Sequence, residues 1–275
     1  MKIQSKIALV TGGAHGIGRA IAERFAQDGA AAVVIADIEL DAAQEAVSKI
    51  QALGVDASAV HCDVSQPGPI AAAVAHTESQ HGPIDILVSN AGFGYGDGPG
   101  WTATSQTDEQ WDTLWRVNVM AHMWGARAVL PGMVERGGGY LLNTVSAAGL
   151  LTQVGDAAYA TTKHAAIGFA ESLAITHGEQ GIRVSVLCPQ GVRTRLLEVE
   201  KVVADSVGTD GILEPEDVAA DVVQAMDEER FLIVPHPESL EYLRRKTADY
   251  DRWIRGMRRF RRSLFPSDEI MDFKA

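Results

Sequence analysis

Short β-branched runs alternate with amphipathic stretches along almost the whole chain, and this alternation is the strongest limit on what it can fold into. Ile7-Ala8-Leu9-Val10 reads as a first strand, and Gly16 to Asp28 as a helix with Ile17, Ile21 and Phe25 on one face. Val33-Val34-Ile35 is a second strand, followed by a helix over 40–53 that stops at Gly54. A strand over 57–61, a helix over 69–80 and a strand over 84–89 complete the first half. The second half repeats the rhythm: helix 108–135, strand 139–145, helix 156–179, strand 182–187, helix 215–227 and a short strand 231–234. Strands that alternate with helices need crossover connections, which make a parallel sheet covered on both faces. The expectation is an α/β fold: one Rossmann-type, doubly wound parallel sheet of about seven strands, with a helical C-terminal extension. No linker rich in Pro, Gly or Ser divides the chain. The expected division is residues 1–237 as the sheet domain and 238–275 as the extension.

The 275 residues are 46% hydrophobic and 22% charged, which excludes disordered and fibrous classes. No apolar run approaches the roughly 20 residues that span a bilayer. The first residues lack an apolar signal-peptide core, so a cytoplasmic protein is expected. Two cysteines, Cys62 and Cys188, cannot build a disulfide framework or metal cluster and read as buried apolar residues. The eight histidines show no ligand spacing such as H-E-x-x-H, so no metal is expected. A net charge of −12 argues against nucleic acid as a bulk electrostatic partner.

The first strand runs into Thr11-Gly12-Gly13-Ala14-His15-Gly16-Ile17-Gly18, where a helix begins. Glycines allow a tight turn and a close approach to a pyrophosphate, and the helix N-terminus offers free N–H groups. The spacing, G-x-x-x-G-x-G, differs from the commoner G-x-G-x-x-G; its place in the first strand-to-helix turn gives it weight. The second strand ends at Asp37. A carboxylate there can accept hydrogen bonds from both ribose hydroxyls of NAD and would repel the 2′-phosphate of NADP, so NAD is preferred. The same residue can instead cap the helix that starts near Leu40. Asp63 follows the third strand and Asn90-Ala91-Gly92 the fourth, where open α/β sheets bind ligands; alone, each can equally be a turn residue.

Tyr159 and Lys163 lie four apart at the start of a helix and share one face. Tyrosine is a poor base at neutral pH; a neighbouring ammonium favours the phenolate and brings its pKa toward the working range. The plain alternative is a solvated helix face.

Taken together and in order, Thr11-Gly12-x-x-x-Gly16-x-Gly18, Asp63, Asn90-Ala91-Gly92, Asn118, Ser146 and Tyr159-x-x-x-Lys163 resemble the short-chain dehydrogenase/reductase family over about residues 5–235. The resemblance implies a catalytic set: Tyr159 as general acid/base, Lys163 as the residue that holds the nicotinamide ribose and lowers the tyrosine pKa, Ser146 as the hydrogen-bonding partner of the substrate oxygen, and Asn118 as the holder of a water in a proton relay. It implies cofactor contacts from Gly12, His15, Gly16, Ile17, Gly18, Asp37, Ile38, Asp63, Val64, Asn90, Ala91 and Gly92, together with Tyr159, Lys163, Pro189, Val192 and Thr194. Gln190 stands where the family usually has glycine; it is either a tolerated loop residue or a side chain directed at the substrate. A four-helix subunit interface built from the helices over 108–135 and 156–179 is usual in the family, so a homodimer or homotetramer is expected. The tryptophans Trp101, Trp111, Trp115 and Trp124 read as core or interface packing.

Leu150, Gln153, Val154 and Leu196 join Ser146, Tyr159 and Gln190 as candidate substrate contacts, and their mostly apolar character fits an apolar secondary alcohol or ketone. Residues 93–101 are expected beside the pocket and 195–214 as a lid. The activity implied is hydride transfer between NAD(H) and such a substrate; the rival is an NAD-binding scaffold or redox sensor with a partner-binding tail. Residues 240–262 carry nine Lys or Arg and three acids, a net +6 that leaves −18 elsewhere. Within this tail Leu243, Tyr250, Trp253, Ile254, Met257, Phe260 and Leu264 recur at helical steps. The stripe can dock on its own or a neighbouring subunit, lie on an anionic membrane, or accompany nucleic acid; the acidic remainder of the chain favours the first.

Overall fold

The structure, a computed structural model, describes residues 1–98, 102–198 and 206–265. Trp101, part of the expected lid and the last ten residues of the extension lie outside the described residues. Each apolar run becomes a strand of one seven-stranded sheet: β1 (Ile7–Thr11), β2 (Ala32–Asp37), β3 (Asp56–His61), β4 (Ile86–Ser89), β5 (Gly139–Thr144), β6 (Ile182–Leu187) and β7 (Leu232–Ile233). The order is β3-β2-β1-β4-β5-β6-β7, and every pairing is parallel. Ala8 pairs with Val33 on one side of β1 and with Ile86 on the other. The chain therefore winds outward from β1 in one direction and restarts at β4 in the other. The gap between these two connections is where a doubly wound sheet opens a crevice at its strand ends.

Alternation along the strands feeds two cores. Ala8 and Val10 of β1 point to one face, with Ile21 and Phe25 of α1 (Gly16–Gln27), Ile50 of α2 (Leu40–Ala52) and Met226 of a later helix, Pro215–Asp227. Leu9 points to the other face, with Ile70 of α3 (Pro67–His81), Met133 of α5 (Ala121–Glu135) and Leu173 of α7 (Ala157–His177). Phe25 is fully buried; truncation to alanine there costs about 3–5 kcal/mol.

The expected helix over 108–135 is divided. A capping box between Thr107 and Gln110 starts α4 (Asp108–Trp115), five residues (Arg116–Met120) form a π-helical turn, and α5 follows. Such a turn admits one extra residue and re-aims the side chains on it; here it carries the fully buried Asn118. The segment after β5 folds into the short α6 (Ala148–Leu151), which precedes α7. Pro215–Asp227 is α8, and the extension forms α9 (Glu238–Ala248) and α10 (Tyr250–Leu264), with the Asp249 carboxylate accepting the Arg252 N–H at 2.9 Å between them.

In α10, Trp253, Met257, Phe260 and Leu264 are partly buried and Phe265 just beyond is 1% exposed. Tyr250 and Ile254, read from the sequence as part of the apolar stripe, are exposed instead, because the stripe that packs is narrower than the periodicity suggests. Arg252, Arg255, Arg258, Arg259 and Arg262 are exposed on the other side. No helix among the described residues is long and apolar enough to cross a membrane.

Candidate active site

A cleft of about 550 Å³ opens along the carboxyl ends of the strands. At one end lie Asp37, Ile38 and Glu39; the glycine turn forms the middle; Ser146, Tyr159 and Lys163 mark the other end.

The middle is shaped by backbone. α1 begins at Gly16 with no side chain capping it, so the N–H groups of its first turn, Gly16 and Ile17 included, are left to whatever the cleft holds. Gly18 does not reach the cleft surface. It is buried, and a Cβ on it would stand 2.3 Å from both the Gly12 carbonyl and the Asn90 Nδ2. Its role is to let the turn lie against Asn90, whose Nδ2 donates to the Thr11 carbonyl at 3.2 Å and to the Gly12 carbonyl at 3.0 Å.

Asp37 is nearly buried at the end of β2. Its Oδ2 accepts the Ala14 N–H at 2.9 Å and its Oδ1 the Glu39 N–H at 3.0 Å. It caps no helix; the residue at the start of α2 is Glu39. Each carboxylate oxygen keeps acceptor capacity toward the cleft. Asp63 accepts the Ser65 N–H at 2.9 Å and, with Val64, lines the same wall. Glu39 takes part in a cluster that local sequence does not announce: Arg195 Nη1 donates to it at 2.9 Å, and His15 Nε2 lies 3.3 Å from its other oxygen. The Arg195 and His15 contacts hold the Glu39 carboxyl below its ordinary value. Arg195 is 156 positions away, so only the fold brings the pair together.

At the far end, α7 delivers Tyr159 and Lys163 from adjacent turns. The Lys163 ammonium is 5.4 Å from the centre of the Tyr159 ring and donates to the Thr144 carbonyl at 3.3 Å. Ser146, after β5, is fixed by the Ala148 N–H at 3.0 Å. The electrostatics depart from the sequence reading. Burial pushes the Tyr159 phenol up to about 12, against a downward pull from the Ser146 hydroxyl; Asp156 raises it further. Burial also pulls Lys163 down to about 8. Desolvation by burial is the largest influence on the Tyr159 phenol and keeps it out of the neutral range. Tyr159 is a phenol at neutral pH, ready to donate a proton.

Asn118 is fully buried. It lies behind the cleft wall and clamps the next loop: its Oδ1 accepts the Phe93 N–H at 3.2 Å, and its Nδ2 donates to the Phe93 carbonyl at 3.0 Å and to Thr162 Oγ1 at 3.2 Å. A Cβ on Gly92 would be 3.1 Å from both Asn118 Oδ1 and Lys163 Nζ, so the two groups flank one backbone position. Asp156, not among the expected site residues, is the N-cap of α7. Its Oδ1 accepts the Tyr159 N–H at 3.1 Å and its Oδ2 the Gly96 N–H at 3.0 Å, which joins the 93–97 loop to the helix that carries Tyr159. An Asp three residues before a helical position is a capping signal and was the clue available.

The substrate-side expectations divide. Gln153, Gln190 and Leu196 line the cleft, joined by Phe93, Thr113, Val117, Leu197 and Val207. Leu150 and Val154 do not. Leu150 turns against the core beneath α7, and Val154 offers its carbonyl to the Gln153 amide at 3.1 Å. The four-residue helix α6 ends just after Leu150, at Thr152, which has φ 85°. Gln190 donates from Nε2 to Ser239 Oγ at 2.7 Å; its side chain is turned to the extension. Ala91, Gly92, Pro189, Val192 and Thr194 all border the cleft, and Asn90 does so with the amide already described. Cys62 and Cys188 are buried, Cys62 at the cleft wall.

The comparisons with known proteins agree with this geometry. Residues 6–202 match the family model for short chain dehydrogenases. A 1-deoxy-11-beta-hydroxypentalenate dehydrogenase of Streptomyces exfoliatus is 34% identical over 92% of this chain and 91% of its own. A cyclohexanol dehydrogenase of Acinetobacter is 33% identical over 79% of this chain and 86% of its own. The crystal structure of a short chain dehydrogenase/reductase from Burkholderia phymatum in complex with NAD superposes with a TM-score of 0.83, at 29% identity, over 91% of this chain and 96% of that one. With its parallel sheet, its uncapped glycine turn and the Tyr159–Lys163 pair at one end of the crevice, the chain belongs to the short-chain dehydrogenase/reductase family of oxidoreductases.

Proposed function

We propose that this cleft catalyses hydride transfer between NAD(H) and an apolar secondary alcohol or its ketone. The observation that carries the reading is the placement of Ser146, Tyr159 and Lys163 at one end of a continuous cleft whose other end is formed by Asp37 and Ile38.

The residues present fit a dinucleotide. The uncapped start of α1 suits a pyrophosphate, and Asp37 suits a ribose with two free hydroxyls. Asp63 and Val64 would flank the adenine end, Asn90, Ala91 and Gly92 the centre, and Pro189, Val192 and Thr194 the nicotinamide end. The bound nicotinamide supplies the hydride acceptor or donor. The chain does the rest. Ser146 holds the substrate oxygen by a hydrogen bond. Tyr159, a phenol at neutral pH, gives its proton to a carbonyl oxygen; in the reverse direction, its phenolate takes the proton of the alcohol. Lys163 brings positive charge to the same site. Asn118 acts from behind, through Phe93 and Thr162.

Phe93, Val117, Leu196, Leu197 and Val207 give the substrate side an apolar wall that suits a cyclic or otherwise bulky secondary alcohol. The names of two relatives point to the same class. A homodimer or homotetramer fits the exposure of Trp115 on α4 and Ile175 on α7, which light scattering can check.

The test is NADH oxidation by the purified protein with cyclohexanone and a panel of larger cyclic ketones, run in parallel with NADPH. Turnover confined to NADH supports the reading. Failure of every ketone while NADH binds contradicts the assigned reaction, and equal use of NADPH contradicts the assignment of Asp37.

A further inference from the structure

Helix α9 carries Ser239, Tyr242 and Lys246 at steps of three and four, which places them along one helix face. Each grips a different loop around the cleft. Gln190 Nε2 donates to Ser239 Oγ at 2.7 Å. The Tyr242 hydroxyl donates to Asp210 Oδ1 at 2.9 Å. Lys246 Nζ donates to the Leu150 carbonyl at 2.7 Å and lies 3.4 Å from His164 Nε2, whose ring accepts because its Nδ1 donates to the Ala160 carbonyl at 2.8 Å. His236, just before the helix, accepts the Gln190 N–H on its Nδ1 at 3.2 Å. Ser239 is fully buried and Lys246 is 7% exposed. A lysine is almost never buried without a specific partner.

The three gripped loops form one unit around the substrate end. Residues 191–193 and 207–213 are joined by Arg193 N–H to the Leu213 carbonyl at 2.9 Å, Leu213 N–H to the Gly191 carbonyl at 3.0 Å and Gly191 N–H to the Val207 carbonyl at 3.2 Å. The third loop includes a strained residue. Thr152, two positions beyond Leu150, has φ 85° and ψ 163°, a region that β-branched residues avoid, and Gln153 beside it lines the cleft. Such strain persists only where the surroundings over-determine it. The Lys246 bond to Leu150 is one such constraint, supplied from 96 positions away. Gln153 in turn donates to Ser206 Oγ at 2.6 Å, which closes the ring of loops.

We propose that α9 is a brace for the substrate wall. Ser239, Tyr242 and Lys246 are positioning residues that set substrate affinity through the loops at 150–154, 189–193 and 206–214, and Gln190 is the half of the brace that lies on the cleft side. The extension, on this view, is part of the active-site architecture of its own subunit. The affinity part rests on the proposed alcohol/ketone reaction; the loop-holding part does not.

The test uses the full chain and four variants, Lys246→Met, Ser239→Ala, Gln190→Ala and the Gln190→Ala/Ser239→Ala double variant. Amide hydrogen exchange is read by peptide over 147–155 and 206–214, and KM and kcat are measured with cyclohexanone and NADH. Lys246→Met is expected to speed exchange over 147–155 by roughly three- to tenfold, the scale of one hydrogen bond, and to raise KM by a similar factor with kcat little changed. The two single variants at 190 and 239 are expected to speed exchange over 206–214, and the double variant is expected to match the larger single effect, because both remove the same bond. Unchanged exchange in both segments overturns the brace. So does faster exchange spread evenly over the sheet, or a double variant whose effect is the sum of the singles. If wild-type protein turns over no ketone, the proposed reaction fails while the exchange result still decides the brace.

Discussion

The wall of the cleft assigned to the cofactor is made of backbone at strand ends, whereas the opposite wall is made of side chains borne on loops. On the first wall, Asn90 and Asp37 are held by hydrogen bonds to main-chain groups at the end of β1 and in the glycine turn that follows it. On the second, Gln153, Gln190 and Leu196 come from segments whose course depends on contacts with distant residues such as Ser206 and Ser239. The first wall is tied to the sheet through Thr11 and to the turn through Gly12 and Ala14. The second can accept substitutions without disturbing the sheet, which is how one fold supports many substrates.

This contrast can be broken in order of expected effect. Gly18→Ala tests the backbone wall most severely. Its Cβ would meet the Gly12 carbonyl at 2.3 Å, so the turn must shift. Overpacking of this kind costs about 1–3 kcal/mol, and NADH affinity should fall by up to about 100-fold, measured by NADH fluorescence. Unchanged affinity would show that the turn is not rigid.

A pH profile tests the electrostatics where the walls meet. On the proposed reaction, ketone reduction uses the Tyr159 phenol, retained to about pH 12, and the Lys163 ammonium, lost above about pH 8. The rate of reduction should therefore fall above pH 8, approaching about tenfold per pH unit, with the limb set by the lysine. A profile flat to pH 10 contradicts that assignment.

Asp37→Asn sharpens the cofactor side with a smaller change. It keeps an acceptor for the Ala14 or Glu39 N–H and removes the charge. The ratio of kcat/KM for NADH over that for NADPH should drop by about tenfold. An unchanged ratio would transfer the discrimination to Glu39.

The same contrast explains what could be read in the sequence. The alternation of seven strands with helices, the glycine turn and the Tyr159–Lys163 pair were legible because hydrophobic period, turn chemistry and helical spacing are local. The π-helical turn at Arg116–Met120 was not, since one extra residue scarcely disturbs the apolar pattern over 108–135. Leu150 and Val154 were misplaced because they fall in and just after α6, a helix of four residues, and no periodicity can be read over so short a run. Glu39 with Arg195 and Gln190 with Ser239 were hidden by separation alone, 156 and 49 positions. The pKa of Tyr159 was misjudged because spacing reveals a charged neighbour but does not reveal how dry the site is.

The most direct measurement is Tyr159→Phe, with turnover and NADH affinity determined on the same preparation. The substitution removes one hydroxyl from a ring held by α7 and leaves the cofactor wall intact. The account predicts a loss of turnover on the order of 10²–10⁴-fold with NADH affinity within about twofold of wild type. Retained turnover would contradict Tyr159 as the proton donor and, with it, the reaction assigned to the cleft.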